Sequence, residues 1–443
     1  MLGIDKPILI SLINRGWVAL SGPISIFWII NYLTPAEQGY FYTIGSIFGI
    51  QVLFELGIGL VTLQIVSHLM PGVFYKSKIL SGDEENIKEI SNFLKGIMKW
   101  YFFVASLFFL TLYFLGPLFL NNSSSSQEVV WQNPWLIALS FFSLNILCNG
   151  VCSFIEGTGH IAEVAKIRLA QSFFSILSLL ICLSFDLKLY SLAVLHATSF
   201  LVGFLIIFSK YRKLLIQLIK KPSSKSKINW LKDILPFQSK VAVSWIAGYF
   251  GTQAIVPIVF NTLGAEMAGK FGMTISIFYA LTAAAMVWIT TKAAKFGKMI
   301  AQRKYSELKI FHSKASTYAL YVGIILNTFV ICTLFAITIY FPMIADRFMP
   351  ILSILLLGLS SIINISISSK AILLRAFKDE PFMNLSIFTG FSQLITVFLL
   401  SATGSIDIMI FGYVSIICMV SLFWANPLFN TTWKKFTNGS SKT

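Results

Sequence analysis

The chain is 443 residues long, 56% of them hydrophobic, 41 of them Phe and only 12% charged, with a formal net charge of +16. Soluble domains carry roughly 25% charged residues, so this composition, with a mean hydropathy of +0.79, excludes a water-soluble globular protein. The positive charge is spread over the ends of apolar runs instead of gathered on one basic face, which argues against a nucleic-acid partner.

Those runs are long enough to cross a hydrocarbon core of ~30 Å, which takes about 20 helical residues. In chain order they predict spans over 8–32, 39–66, 94–119, 134–155, 167–185 and 189–209, then 236–262, 268–291, 316–341, 350–373, 382–403 and 407–425. The alternating strands of about ten residues that mark a membrane barrel are missing from the sequence. The expected fold is therefore an all-α polytopic membrane protein of about twelve transmembrane helices. Its organisation reads as an N-terminal six-helix bundle (1–209), a basic linker (210–235), a C-terminal six-helix bundle (236–425) and a tail (426–443).

An internal repeat supports two halves. Setting Leu33 against Leu263 aligns LTPAEQGYFYTIGSIF with LGAEMAGKFGMTISIF, so that Gly39 meets Gly269, Phe41 meets Phe271 and Ser46-Ile47-Phe48 meets Ser276-Ile277-Phe278. Six spans per half is an even number, so the halves share one orientation and are expected to be related by a pseudo-two-fold axis along the membrane normal.

All but four of the 34 Lys and Arg residues fall in the termini, in the loops on the same side as the termini or at the span ends that adjoin those loops. The exceptions are Lys188, Lys270 and Arg347 in opposite loops and Arg15 inside the first span. Basic residues accumulate in cytoplasmic loops, so both termini are expected in the cytoplasm, with the Lys210–Lys240 segment held against anionic lipid. The first apolar run is long and lacks a small-residue cleavage site, as a retained helix would. The five cysteines lie inside predicted spans and imply neither a disulfide framework nor a metal site. No His-Glu-x-x-His pattern and no phosphate-binding Gly-x-x-x-x-Gly-Lys-Ser/Thr loop occurs. No metal or organic cofactor is expected.

Intramembrane charge and helix breakers mark candidate sites. Arg15 lies about seven residues, or ~10 Å, inside the first helix, and Glu55 about eleven residues, or ~16 Å, from the cytoplasmic end of the second. At similar depth they can pair as a structural lock, or Arg15 can bind a phosphate while Glu55 serves ion coupling. Gly16, Gly22 and Pro23 interrupt the first helix of one half, and Gly248, Gly251 and Pro257 that of the other. Breakers at matching places read either as hinges beside a central site or as close packing of small residues. In helix seven Trp245, Tyr249, Thr252 and Gln253 recur on one face, with Lys240 near its start. Such a face suits a sugar, and it equally suits helix packing and interfacial anchoring.

The segments LTPAEQGYFYTIGSIF (33–48), FELGIGL (54–60), FIEGTGHIAEVAKIRLAQS (154–172) and PFQSKVAVSWIAGYF (236–250) resemble the O-antigen, Wzx-type flippases of the multidrug/oligosaccharidyl-lipid/polysaccharide exporter superfamily. The resemblance implies two bundles around a cavity that opens alternately to either side of a bacterial inner membrane. It implies as substrate an undecaprenyl-pyrophosphate-linked oligosaccharide; the residues singled out above then stand as candidates, Arg15, Lys240, Trp245, Tyr249 and Gln253 for the cavity and Gly22, Pro23, Gly251 and Pro257 for hinges. It further implies H⁺ or Na⁺ as coupling ion, and membrane lipid, a polysaccharide polymerase and a chain-length regulator as partners. A cation-coupled small-molecule or drug exporter of the same superfamily is the alternative. A membrane-embedded glycosyltransferase or polymerase is the alternative of another class, and it is disfavoured because the longest outer segment, about 118–133, is too short for a catalytic domain and lacks a carboxylate cluster.

Overall fold

The computed structural model describes residues 6–76, 78–121, 129–221, 235–377 and 380–439. The chain divides into two compact units, Met1–Ile246 and Ala247–Thr443.

In the first unit α1 (Lys6–Tyr32) passes a two-residue turn into α2 (Pro35–Phe48). Thr34 caps that turn. Its hydroxyl accepts from the Glu37 amide at 3.2 Å while the Glu37 carboxylate accepts from the Thr34 amide at 2.9 Å, a reciprocal capping box with Pro35 in the first turn. The second predicted span, 39–66, is not one helix. It consists of α2, α3 (Gln51–Glu55) and α4 (Ile58–Leu69), with a 44° bend between the α2–α3 segment and α4. The break has a backbone cause, because Leu56 (φ 52°) and Gly57 (φ 71°) are both left-handed. Apolarity marks where lipid is, and it carries no information about such a break.

A hairpin that hydropathy did not indicate follows, β1 (Val73–Lys76) and β2 (Ile79–Gly82), antiparallel with Val73 opposite Gly82. Then come α5 (Glu84–Leu120), α6 (Gln132–Gly157), α7 (Ile161–Ser184) and α8 (Tyr190–Lys220). Here α7 packs along α8 and α1, and α6 along α4, α5 and α8. The Gln217 amide of α8 pairs both ways with the backbone of Leu80, accepting from its N–H at 2.9 Å and donating to its carbonyl at 2.8 Å. The hairpin is thus tied to α8. That helix continues to Lys220, so residues 210–220 extend the bundle where a linker was expected.

α9 (Leu235–Thr252) crosses from one unit to the other, and the second unit continues with α10 (Ile255–Leu263), α11 (Ala265–Thr290) and the short α12 (Ala293–Ala301). α13 (Tyr305–Tyr340), α14 (Pro342–Ala345), α15 (Ile351–Arg375), α16 (Met383–Ser401) and α17 (Ile406–Met419) follow. A π-helical stretch, Val420–Ala425, joins α17 to α18 (Asn426–Gly439). The expected tail is therefore largely a docked helix: Phe429 and Trp433, one turn apart, pack with Phe377 and His312.

Among the described residues ten helical segments are long and apolar enough to cross a membrane, and the bent pair makes an eleventh. α1, with 27 residues, has the length for a twelfth. The chain is an all-α polytopic membrane protein. The repeat aligned at Leu33 and Leu263 falls on the same junction of each unit, α1 to α2 and α10 to α11, with Phe48 and Phe278 both buried.

Candidate functional site

The second unit contains a cavity of about 450 Å³ lined from α9, α11, α15, α16 and α17. Its polar wall is built from Thr252, Thr290, Asn364, Ser368, Ser386, Thr389, Gln393 and Tyr413. Thr252 and Thr389 each donate a hydroxyl proton to the carbonyl one turn back, at 2.8 and 2.7 Å, leaving oxygen lone pairs to accept from a ligand. Arg375 is the one charged residue among the described lining, and Glu380 holds its guanidinium through contacts of 2.6 to 2.8 Å. The wall is therefore neutral and rich in hydrogen-bonding groups.

Helix breakage shapes one side of this cavity. The Gln253 and Ala254 amides both donate to the Tyr249 carbonyl, at 2.9 and 3.2 Å, which ends α9 in a tight turn. Pro257 lacks an N–H, so the carbonyl of Gln253 loses its helical partner. The hydroxyls of Tyr279 and Tyr413 donate to the carbonyls of Thr252 and Gly251 at 3.4 and 3.5 Å, replacing part of the lost ladder. α16 can approach because Gly390 has no side chain: a Cβ there would lie 2.2 Å from the Ala247 carbonyl.

The first unit has a second polar locus, inside its bundle, at the α3–α4 break. One carboxylate oxygen of Glu55 is buried with no hydrogen-bond partner among the described residues. Just past the break, a Cβ on Gly59 would lie 3.0 Å from the Ser153 hydroxyl of α6 and 3.4 Å from the hydroxyl of Tyr101 of α5. Its ring lies over Gly150, where a Cβ would come within 2.4 Å. Arg168 of α7 pairs with Glu156 of α6 at 3.3 Å. Carboxylates, a phenol, a hydroxyl and a guanidinium from four elements thus meet in one bundle. Among the described residues no group of His, Cys, Asp and Glu could hold a metal.

The residues expected from sequence occupy diverse settings. Arg15 and Lys240 lie on α1 and α9, but their side chains fall outside the described residues, as does any Arg15–Glu55 pairing. Thr252 lines the cavity, whereas Trp245 is 46% exposed, Tyr249 is buried against Phe250 and Gln253 sits exposed in the α9–α10 break. The four do not form one continuous face, because the helix ends at Thr252. Gly22 and Pro23 lie within an uninterrupted α1, while Gly251 and Pro257 flank a real break. Sequence reasoning missed Asn364, Ser368, Gln393 and Tyr413. The run SSIINISISSK (360–370), hydroxyls and an amide within an apolar span, carried the available signal.

No protein-family model and no curated protein matches the chain. Solved structures do. A multidrug resistance MATE family transporter of the MOP superfamily, in an inward-facing conformation, is similar with a TM-score of 0.68 at 12% identity, covering 96% of this chain and 99% of that one. The lipid II flippase MurJ, in an inward closed conformation, is similar with a TM-score of 0.60 at 14% identity, covering 98% and 91%. A MOP superfamily transporter from Pyrococcus furiosus is similar at 0.50, with 13% identity. These likenesses show that the chain has the fold of MOP superfamily transporters.

Proposed function

We propose that the protein is a transporter that moves a lipid-linked oligosaccharide across the inner membrane of a bacterium, from the cytoplasmic to the outer face, by alternating access. The neutral, hydroxyl- and amide-rich wall of the second-unit cavity carries this reading. A sugar offers many hydroxyls that cost kilocalories each to bury unpaired, and a wall of Thr, Ser, Asn, Gln and Tyr pairs them without trapping charge. The resemblance to O-antigen flippases supports an undecaprenyl-pyrophosphate-linked repeat unit as the substrate, and the likeness to a lipid II flippase is consistent with it. On this reading Arg15 and Lys240 meet the pyrophosphate, the polyprenyl tail stays in lipid, and a polymerase and chain-length regulator act downstream. Both termini face the cytoplasm. Glu55, one of whose buried carboxylate oxygens has no hydrogen-bond partner among the described residues, is the carboxyl through which H⁺ drives transport.

The second reading is export of a small drug-like molecule, favoured by the cavity volume of about 450 Å³, which lies in the range of small-molecule pockets. The absence of any carboxylate from the described lining disfavours a cationic drug.

The test is flipping of a fluorescent lipid-linked oligosaccharide in proteoliposomes. Asn364→Ala with Gln393→Ala removes two hydrogen-bonding groups at about 1 kcal/mol each and is expected to raise the half-saturating concentration roughly thirtyfold, conformational transitions being unchanged. Equal flipping by variant and parent at limiting substrate contradicts the cavity assignment.

A further inference from the structure

The second unit has a groove of about 500 Å³ apart from the polar cavity, between α12 and the first turns of α13. Four ammonium groups border it, those of Lys295, Lys298, Lys304 and Lys314, against the single carboxylate of Glu307. Glu307 is half engaged by Lys304, at 3.9 Å with both side chains largely exposed. Like charges around one recess repel unless an anion sits among them. Apart from the amide of Gln302, the rest of the wall is apolar: Met299, Ile310 and Phe311. Lys295 holds its ammonium 4.1 Å from the centroid of the Phe311 ring, a cation–π contact that sets the charge at the groove mouth. Ile310, 60% exposed, adds a bare aliphatic rim.

The short helix explains why the recess exists. α12 buries Phe296 and Met299 against Leu308, Ala315 and Trp433, which leaves Lys295 and Lys298 on its outer face. Lys314 stands two residues before the apolar stretch of α13 that begins at 316. The recess thus opens at the level where the polar surface meets lipid. A free phosphate would use the lysines and leave the apolar rim idle; a phospholipid uses both.

We infer that this α12–α13 groove binds the phosphate headgroup of an anionic membrane lipid, with the start of its acyl chain against Ile310 and Phe311. The site is independent of substrate transport. Lysines near a membrane surface gain about 1 kcal/mol each from anionic lipid, roughly a fivefold change in affinity.

Native mass spectrometry of the full chain in detergent, titrated with phosphatidylglycerol, phosphatidylcholine or inorganic phosphate, tests this. Phosphatidylglycerol is expected to bind with clear preference over phosphatidylcholine. The triple variant Lys295→Gln, Lys298→Gln, Lys314→Gln is expected to weaken it about a hundredfold, while Lys→Arg at the same three positions retains it. The matched control Arg212→Gln, Lys213→Gln, Lys220→Gln on α8 removes as many exposed charges and is expected to leave the groove site intact. Equal binding of phosphatidylcholine, or equal loss in the control, overturns the site. Inorganic phosphate that binds as tightly and displaces the lipid overturns the assignment to lipid.

Discussion

Glu55 shows how one residue can combine two signals. It is a carboxylate within a span, and it sits directly before a left-handed Leu56, the one positive-φ non-glycine among the described residues that interrupts a candidate span. A left-handed Leu costs about 1–2 kcal/mol, and such strain recurs at functional positions. Glu55→Gln keeps the shape and removes the ionisable proton. In proteoliposomes it is expected to abolish stimulation of transport by an imposed pH gradient, with gradient-independent flux retained. A variant that still responds to the gradient as the parent does contradicts a coupling role and leaves Glu55 a structural residue. The charge was legible in sequence; the break beside it was not, because Leu56 is an unremarkable residue and nothing in its side chain announces a left-handed φ.

At the scale of elements, the β1–β2 hairpin is the clearest case of structure that hydropathy could not announce. Its eight paired residues are held by the Gln217–Leu80 amide pairing and by an aromatic contact: His160, between α6 and α7, meets the rings of Tyr75 and Tyr211 at centroid distances of 4.5 and 5.6 Å. The His160 Nδ1 also lies 3.0 Å from the Thr158 hydroxyl. Burial lowers the pKa of His160 below its ordinary value, with the Glu163 carboxylate partly opposing. Glu163 is itself engaged by Lys166 and Lys210, which limits that opposition. A histidine with a depressed folded-state pKa takes up its proton more readily when its packing is released. Its docking is therefore complete above the ordinary histidine pKa of about 6.5 and weakens as pH falls below it. Hydrogen exchange of residues 73–82, corrected for intrinsic rates, is expected to be faster at pH 5.5 than at pH 7.5. His160→Gln should remove most of that difference. Identical protection at both pH values contradicts the account.

The same scale shows why other elements were legible only in part. Apolar runs located the spans but not the helix ends. α5 starts at Glu84, ten residues before its predicted span, because Asp83 caps it by accepting from the Glu85 amide at 2.9 Å, and α13 starts at Tyr305, eleven residues early. Hydropathy reads the lipid-facing portion of a helix, whereas capping and amphipathic packing decide where it begins. α18 was hidden for a related reason: its mean polarity reads as a tail, while Phe429, Trp433 and Phe436 give it a buried stripe at helical spacing.

For the molecule as a whole, fold class followed from composition, since apolar surface on this scale must face lipid and backbone groups in lipid must be satisfied by helices. The duplication was legible from one junction, where Gly39/Gly269 and Phe48/Phe278 occupy equivalent buried positions. The candidate cavity was less so, because its wall depends on which faces of α9, α15, α16 and α17 converge, and single-helix periodicity does not report convergence. The central claim is translocation of a lipid-linked oligosaccharide. It is tested most directly by deleting the gene and quantifying, by mass spectrometry, lipid-linked oligosaccharide in the inner membrane together with polysaccharide at the cell surface. The account predicts lost surface polymer and single undecaprenyl-linked repeats accumulating at the cytoplasmic face, restored by the wild-type gene. Unchanged surface polysaccharide, with new sensitivity to small toxic compounds, would contradict it in favour of drug export.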